Sequence, residues 1–135
     1  MDEKEEIATK SGKVWIEDGI IRSKVLIKGE YALEHAMEDA KAFCMLGEKI
    51  NGKKLLLMES GNIFKLSKET RSYIVTEEAK VLDKVAQIIG NPVTKTILSF
   101  FLGLSKMPIP TKMFSSVDEA IIWLKEDELG VINKD

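Results

Sequence analysis

The chain reads as short apolar runs alternating with longer stretches of helical spacing. Val14-Trp15-Ile16 and Ile20-Ile21 flank Asp18-Gly19, a pair that accepts the positive φ angles of a tight turn. Lys13 to Ile27 is therefore predicted to form a β-hairpin, with Trp15 covering the sheet. Its second strand ends in Val25-Leu26-Ile27, apolar on both faces, as expected of a strand covered on both sides. From Tyr31 to Leu46 the period becomes helical. Leu33, Ala36, Met37, Ala40, Phe43 and Cys44 share one face, Glu34, His35, Glu38, Asp39 and Lys41 lie outside it, and Gly47 is a natural stop. Lys54 to Met58 is a short buried strand leading into Glu59-Ser60-Gly61-Asn62. Ser67 then fits the N-cap of a helix over Lys68 to Glu78, and Lys84 to Ile89 is the next strand, closed by Gly90.

The stretch that organises the chain follows. Asn91 caps and Pro92 opens a helix predicted to run to Ser105, since the missing N–H of proline costs nothing at a first helical position. Val93, Ile97, Phe100 and Leu104 form one stripe, expected to lie on the core. Leu98, Phe101 and Leu102 form a second stripe beside it. Only Lys95, Thr96, Ser99 and Gly103 are left for water. Burying each large apolar side chain of the second stripe is worth about 1.5–3 kcal/mol. Something should therefore cover it: the core itself, a partner subunit or an apolar ligand. Pro108 and Pro110 make the next segment irregular, and Thr111 to Phe114 reads as an edge strand. Ser116-Val117-Asp118-Glu119 is a capping box for a last helix with Val117, Ala120, Ile121 and Leu124 inward and Trp123 to the side.

The order β-β-α-β-α-β-α-β-α predicts an α/β fold: a mixed, largely parallel sheet of about five strands, with the hairpin at its start and about four helices. Residues 12–126 are expected to form a single domain, with 1–11 and 127–135 as flexible tails.

Composition narrows the function classes. A chain of 135 residues with 44% apolar and 31% charged residues fits one globular domain. A net charge of −2 gives no electrostatic case for nucleic acid or an anionic membrane. No apolar run reaches the ~18 residues a membrane-spanning helix needs. The acidic start MDEKEEIATK has no apolar signal region, so a cytoplasmic location is expected. The single Cys44 excludes an internal disulfide and a multi-cysteine metal site. His35 and Cys44 project to different sides of one helix, too far apart to act as a nucleophile–base pair. No glycine-rich phosphate loop follows a strand, and no cofactor or metal is indicated. The loop after the central strand, with Ser60, and the cap Ser67 are the best polar candidates, because ligand and partner sites collect at the carboxyl ends of parallel strands.

Three segments carry a family resemblance: the hairpin VWIEDGIIRSKV, the stretch NPVTKTILSFFLGLSKMPIPTKMF and the ending SSVDEAIIWLKE. Pro92, Phe100, Phe101, Pro110, Thr111, Lys112, Phe114, Glu119, Ala120, Trp123 and Leu124 are its most specific part. Over residues 13–126 the chain resembles small bacterial STAS-like (SpoIIAA-like) proteins, related in fold to anti-sigma-factor antagonists and more loosely to Sec14-type lipid-binding domains. The resemblance implies a mixed sheet with helices around it and no defined activity. Anti-sigma antagonists carry a phosphorylated serine in an Asp-Ser-Ser-Gly loop. Here the loop is Glu59-Ser60-Gly61, so Ser60 matches by motif and Ser67 by its cap position.

The expectation is a non-enzymatic regulatory or interaction module that forms a homodimer through Leu98, Phe101, Leu102 and Trp123, with Ser60 and Ser67 as phospho-switch candidates. The alternative is a carrier or sensor of a lipid or small apolar ligand held between helix 92–105 and the sheet.

Overall fold

The computed structural model describes residues 6–104 and 106–126. Its strands are β1 (Glu6–Ala8), β2 (Gly12–Glu17), β3 (Ile20–Val25), β4 (Lys28–Glu30), β5 (Leu55–Glu59), β6 (Asn62–Lys65), β7 (Lys84–Ile88) and β8 (Thr111–Phe114). The helices are α1 (Leu33–Gly47), a continuous helical arm made of α2 (Lys68–Tyr73), a π turn (Ile74–Glu78) and α3 (Ala79–Val81), then α4 (Pro92–Leu104) and α5 (Val117–Lys125). The predicted helix end at Ser105 lies outside the described residues, as do 1–5 and 127–135.

The main sheet has six strands in the order β1-β2-β3-β5-β7-β8. β1, β2 and β3 pair antiparallel, whereas β3-β5, β5-β7 and β7-β8 pair parallel. This is the expected α/β class with two additions. Residues 6–8, expected to fray, form β1 against β2. A separate parallel ribbon of β4 and β6 sits outside the main sheet. The hairpin turns as its sequence requires: Asp18 and Gly19 have φ of 60° and 78°, which lets Glu17 pair with Ile20.

Side-chain alternation divides the sheet into two faces. On one, Val14, Ile21, Leu56, Met58 and Val85 pack with α1, the helical arm and α4 in the larger core. On the other, Ile20, Leu57 and Ala86 meet Ala120 and Leu124 of α5. Ser116 caps α5, accepting from the Glu119 N–H at 3.3 Å. Over β2 and β3 this second face carries charged groups instead: Arg22 lies 3.4 Å from Glu17 and 3.6 Å from Glu59, and its guanidinium covers the Trp15 ring.

Gly12 is fixed by close approach. A Cβ there would stand 1.9 Å from the Lys24 carbonyl oxygen across the β2–β3 ladder. Because that neighbour is backbone, the ladder itself would have to move. Gly12→Ala is expected to cost about 1–3 kcal/mol, read as a lower denaturation midpoint with unchanged slope.

Two helices are rotated from the phase their apolar periodicity predicts. In α1, Cys44 and Met37 are exposed, while Asp39, expected outward, is fully buried. In α4, Leu98 and Phe101 are in the core, Leu102 is half-buried, and Val93, Phe100 and Leu104 are 51%, 65% and 58% exposed. Polar anchors select these phases. Thr94 is fully buried and donates to the Gly61 and Ile63 carbonyls at 3.1 and 2.9 Å, tying one side of α4 to β6. That side carries Leu98 and Phe101 inward and turns Val93, Phe100 and Leu104 of the first stripe outward, while Ile97 of that stripe stays half-buried against the core.

Candidate functional site

The chemistry of the chain gathers where the helical arm meets α1. Asp39 on α1 accepts hydrogen bonds from the Ser11 and Tyr31 hydroxyls, each at 2.6 Å, through Oδ2. Its Oδ1 is buried without a partner. Tyr31, at the entry to α1, stacks on His35 at 5.9 Å between ring centroids. His35 Nδ1 accepts the Ala32 N–H at 2.9 Å and so closes the first turn of the helix.

Opposite them stands Glu78, the last residue of the π turn, only 6% exposed. Among the described residues its carboxyl has no hydrogen-bond partner. Burial, and secondarily the negative field of Asp39, raises its pKa to about 8. Burial also pushes the Tyr31 phenol well above its usual range, with Glu78 and Asp39 adding to the effect. Tyr73 is raised as well, first by desolvation and then by Glu77 and Glu78.

Glu78 lines a small cavity of about 30 Å³ beneath α4. Tyr31, Ser60 and Gln87 provide its other polar lining, and Leu98 and Phe101 close its apolar side. The Ser60 hydroxyl donates to Gln87 Oε1 at 2.5 Å, and its N–H to the Ile88 carbonyl at 3.3 Å, which ties the end of β5 to β7. Among the described residues no Lys, Arg or His lines this space. Among the described residues the site thus joins two buried carboxyl groups, Glu78 and Asp39, without a cation lining it to balance them.

A family model described as Domain of unknown function (DUF7793) matches residues 14–128. The chain belongs to this family. No curated protein and no solved structure matches it.

The residues singled out from the sequence of this DUF7793 chain fall in separate places. Ser60 lies at the cavity but is 1% exposed and hydrogen-bonded, so it is not available to a kinase in this arrangement. Ser67 caps α2, its hydroxyl accepting the Thr70 N–H at 3.2 Å. Leu98 and Phe101 are core residues rather than an outward partner surface, because Thr94 sets the phase of α4. Trp123 is half-buried, tilted against Phe114 at 5.5 Å, with the Lys84 ammonium 4.3 Å from its ring centre. The space between α4 and the sheet, about 30 Å³, has room for only one or two water molecules. A lipid chain does not fit there, so the expected apolar-ligand cavity is absent from this conformation.

The sequence reading missed Glu78, Asp39 and Tyr31. A detectable signal was present for Glu78: Thr70, Ile74, Glu78 and Leu82 recur every fourth residue, and all four turn inward. A period of four exceeds the α-helical ~3.6, and the π turn supplies the under-winding that keeps them aligned. Among the described residues no cluster of three or more His, Cys, Asp or Glu side chains could hold a metal ion, and no helix is long and apolar enough to cross a membrane.

Proposed function

We propose that this chain is a non-enzymatic interaction module that self-associates through the exposed face of α4. The observation that carries this reading is the outward stripe of Val93, Phe100 and Leu104, at 51%, 65% and 58% exposure on one helix. Three large apolar side chains aligned on one helix face make a surface that a second copy can bury, at about 1.5–3 kcal/mol per side chain. Leu104 also borders a shallow groove of about 330 Å³ with Lys68, Arg71 and Val75, which extends the same surface across the helical arm. In an isologous dimer the stripe packs on its own symmetry mate. A STAS-like kinship is part of the same proposal, supported by the hairpin followed by alternating strands and helices, and such a module would act in the cytoplasm.

Sedimentation of the protein and of its Phe100→Asp variant tests this. The parent is expected to be a dimer. The variant is expected to be a folded monomer, with dimer dissociation shifted at least about tenfold, the effect of losing an interface residue worth more than about 1.4 kcal/mol. A parent that sediments as a monomer at high concentration sinks the proposal, as does a variant that still dimerises normally.

A further inference from the structure

The cavity at Glu78 has an unusual charge inventory. From the helical arm Glu78 lines the space with a carboxyl that has no hydrogen-bond partner among the described residues. Asp39 faces it from α1 with a second unpartnered oxygen, and Tyr31 faces it from the segment before α1. Tyr73 and Glu77 belong to its own arm. β5 and β7 contribute Ser60 and Gln87, which do not titrate, and α4 contributes only Leu98 and Phe101. Among the described residues every titratable side chain that lines the cavity is therefore acidic or phenolic. Of the nearby bases, Arg71 donates to the Leu66 carbonyl at 2.9 Å, Lys80 lies 3.5 Å from Glu77, and His35 stacks on Tyr31.

A buried carboxylate needs a compensating positive charge. On the second face of the sheet the protein supplies one to its carboxylates, where Arg22 meets Glu17 and Glu59. Among the described residues it supplies none at Glu78, which leaves a proton or an ion from outside as the compensation. The cavity volume, about 30 Å³, matches an ion close to water in size. Its oxygens from Glu78, Tyr31 and Ser60 are acceptors for an N–H donor or ligands for a bare monovalent ion.

We propose that this cavity is a binding site for a small monovalent cation of the ammonium class, free or as the head of a primary amine, that takes the place of the Glu78 proton. The exchange balances: the neutral carboxyl releases one proton as the carboxylate accepts one cation. Binding is consequently linked to pH. Each unit of pH rise below the carboxyl's own titration tightens it tenfold, and the dependence flattens above.

Thermal unfolding at constant ionic strength tests the site, comparing ammonium, methylammonium and potassium chlorides with tetramethylammonium chloride, whose cation is too large to enter. A rise in Tm specific to the small cations, steeper toward pH 8 and absent in Glu78→Gln, is the expected result. A rise with ammonium and methylammonium alone assigns the site to amines. An equal rise with potassium assigns it to monovalent cations generally. Equal Tm values in all four salts overturn the proposal and leave the cavity to water, and so does a small-cation rise that survives in Glu78→Gln. A second readout needs no variant: titration of the parent protein in buffers of different ionisation enthalpy should show one proton released per ammonium bound, and zero release overturns the exchange.

Discussion

Glu78→Gln should make the protein more stable at neutral pH, by about 3 kcal/mol. In the folded chain the Glu78 carboxyl keeps its proton up to about pH 8, against 4.5 for an ordinary glutamate. Between those values the unfolded chain has lost a proton that the folded chain still holds. Stability therefore falls as pH rises through this window. It is fully present below about 4.5 and levels off above about 8. Glutamine has the same shape and no charge to bury, so it removes this loss. Urea unfolding of both proteins across the window, in a tetramethylammonium buffer, should give curves that coincide at the acid end and diverge toward pH 8. Parallel curves would mean that Glu78 titrates normally and that its burial carries no cost.

Phe101→Ala should cost about 3–5 kcal/mol, while Phe100→Ala should change monomer stability by no more than about 0.5 kcal/mol. The two rings are adjacent in sequence and nearly identical in local composition. Phe101 is 5% exposed and closes the cavity against Leu98, whereas Phe100 is 65% exposed. Truncating the first leaves a void in a packed interior. Truncating the second removes a side chain already in water. Denaturation midpoints of the two variants decide the matter. Equal losses would place both stripes of α4 in the core and remove the surface on which self-association is proposed.

Strands β2, β3, β5, β7 and β8, the hairpin turn and the caps at Ser67 and Ser116 were legible because each is encoded within a few residues, whereas β1 and the β4–β6 ribbon were not. Asp18-Gly19 takes positive φ angles cheaply, and a serine three residues before its N–H partner needs no distant help. The phases of α1 and α4 were not legible, because tertiary polar contacts decide them. Asp39 faces inward because Ser11 and Tyr31 meet it there, from positions 28 and eight residues away in sequence. Thr94 reaches carbonyls more than thirty residues upstream. A periodicity count treats Asp39 as solvent-facing, gives Thr94 no role, and assigns the stripe of Val93, Ile97, Phe100 and Leu104 to the interior, where only Ile97 packs on the core. The candidate site was hidden for the same reason, compounded by a π turn that breaks the expected repeat of ~3.6 residues.

The division of the sheet into two faces also divides the chromophores. Trp15 lies beneath Arg22 on the α5 side, and Trp123 belongs to α5 itself. Tyr31 and Tyr73 belong to the opposite side, with Tyr31 on the cavity and Tyr73 on the arm that carries Glu78. Tryptophan emission will thus report the loosening of one layer, and tyrosine absorbance the events of the other. If the helical arm opens before the rest of the molecule unfolds, the two optical signals will part company, and the protein will announce the order of its own disassembly without any label.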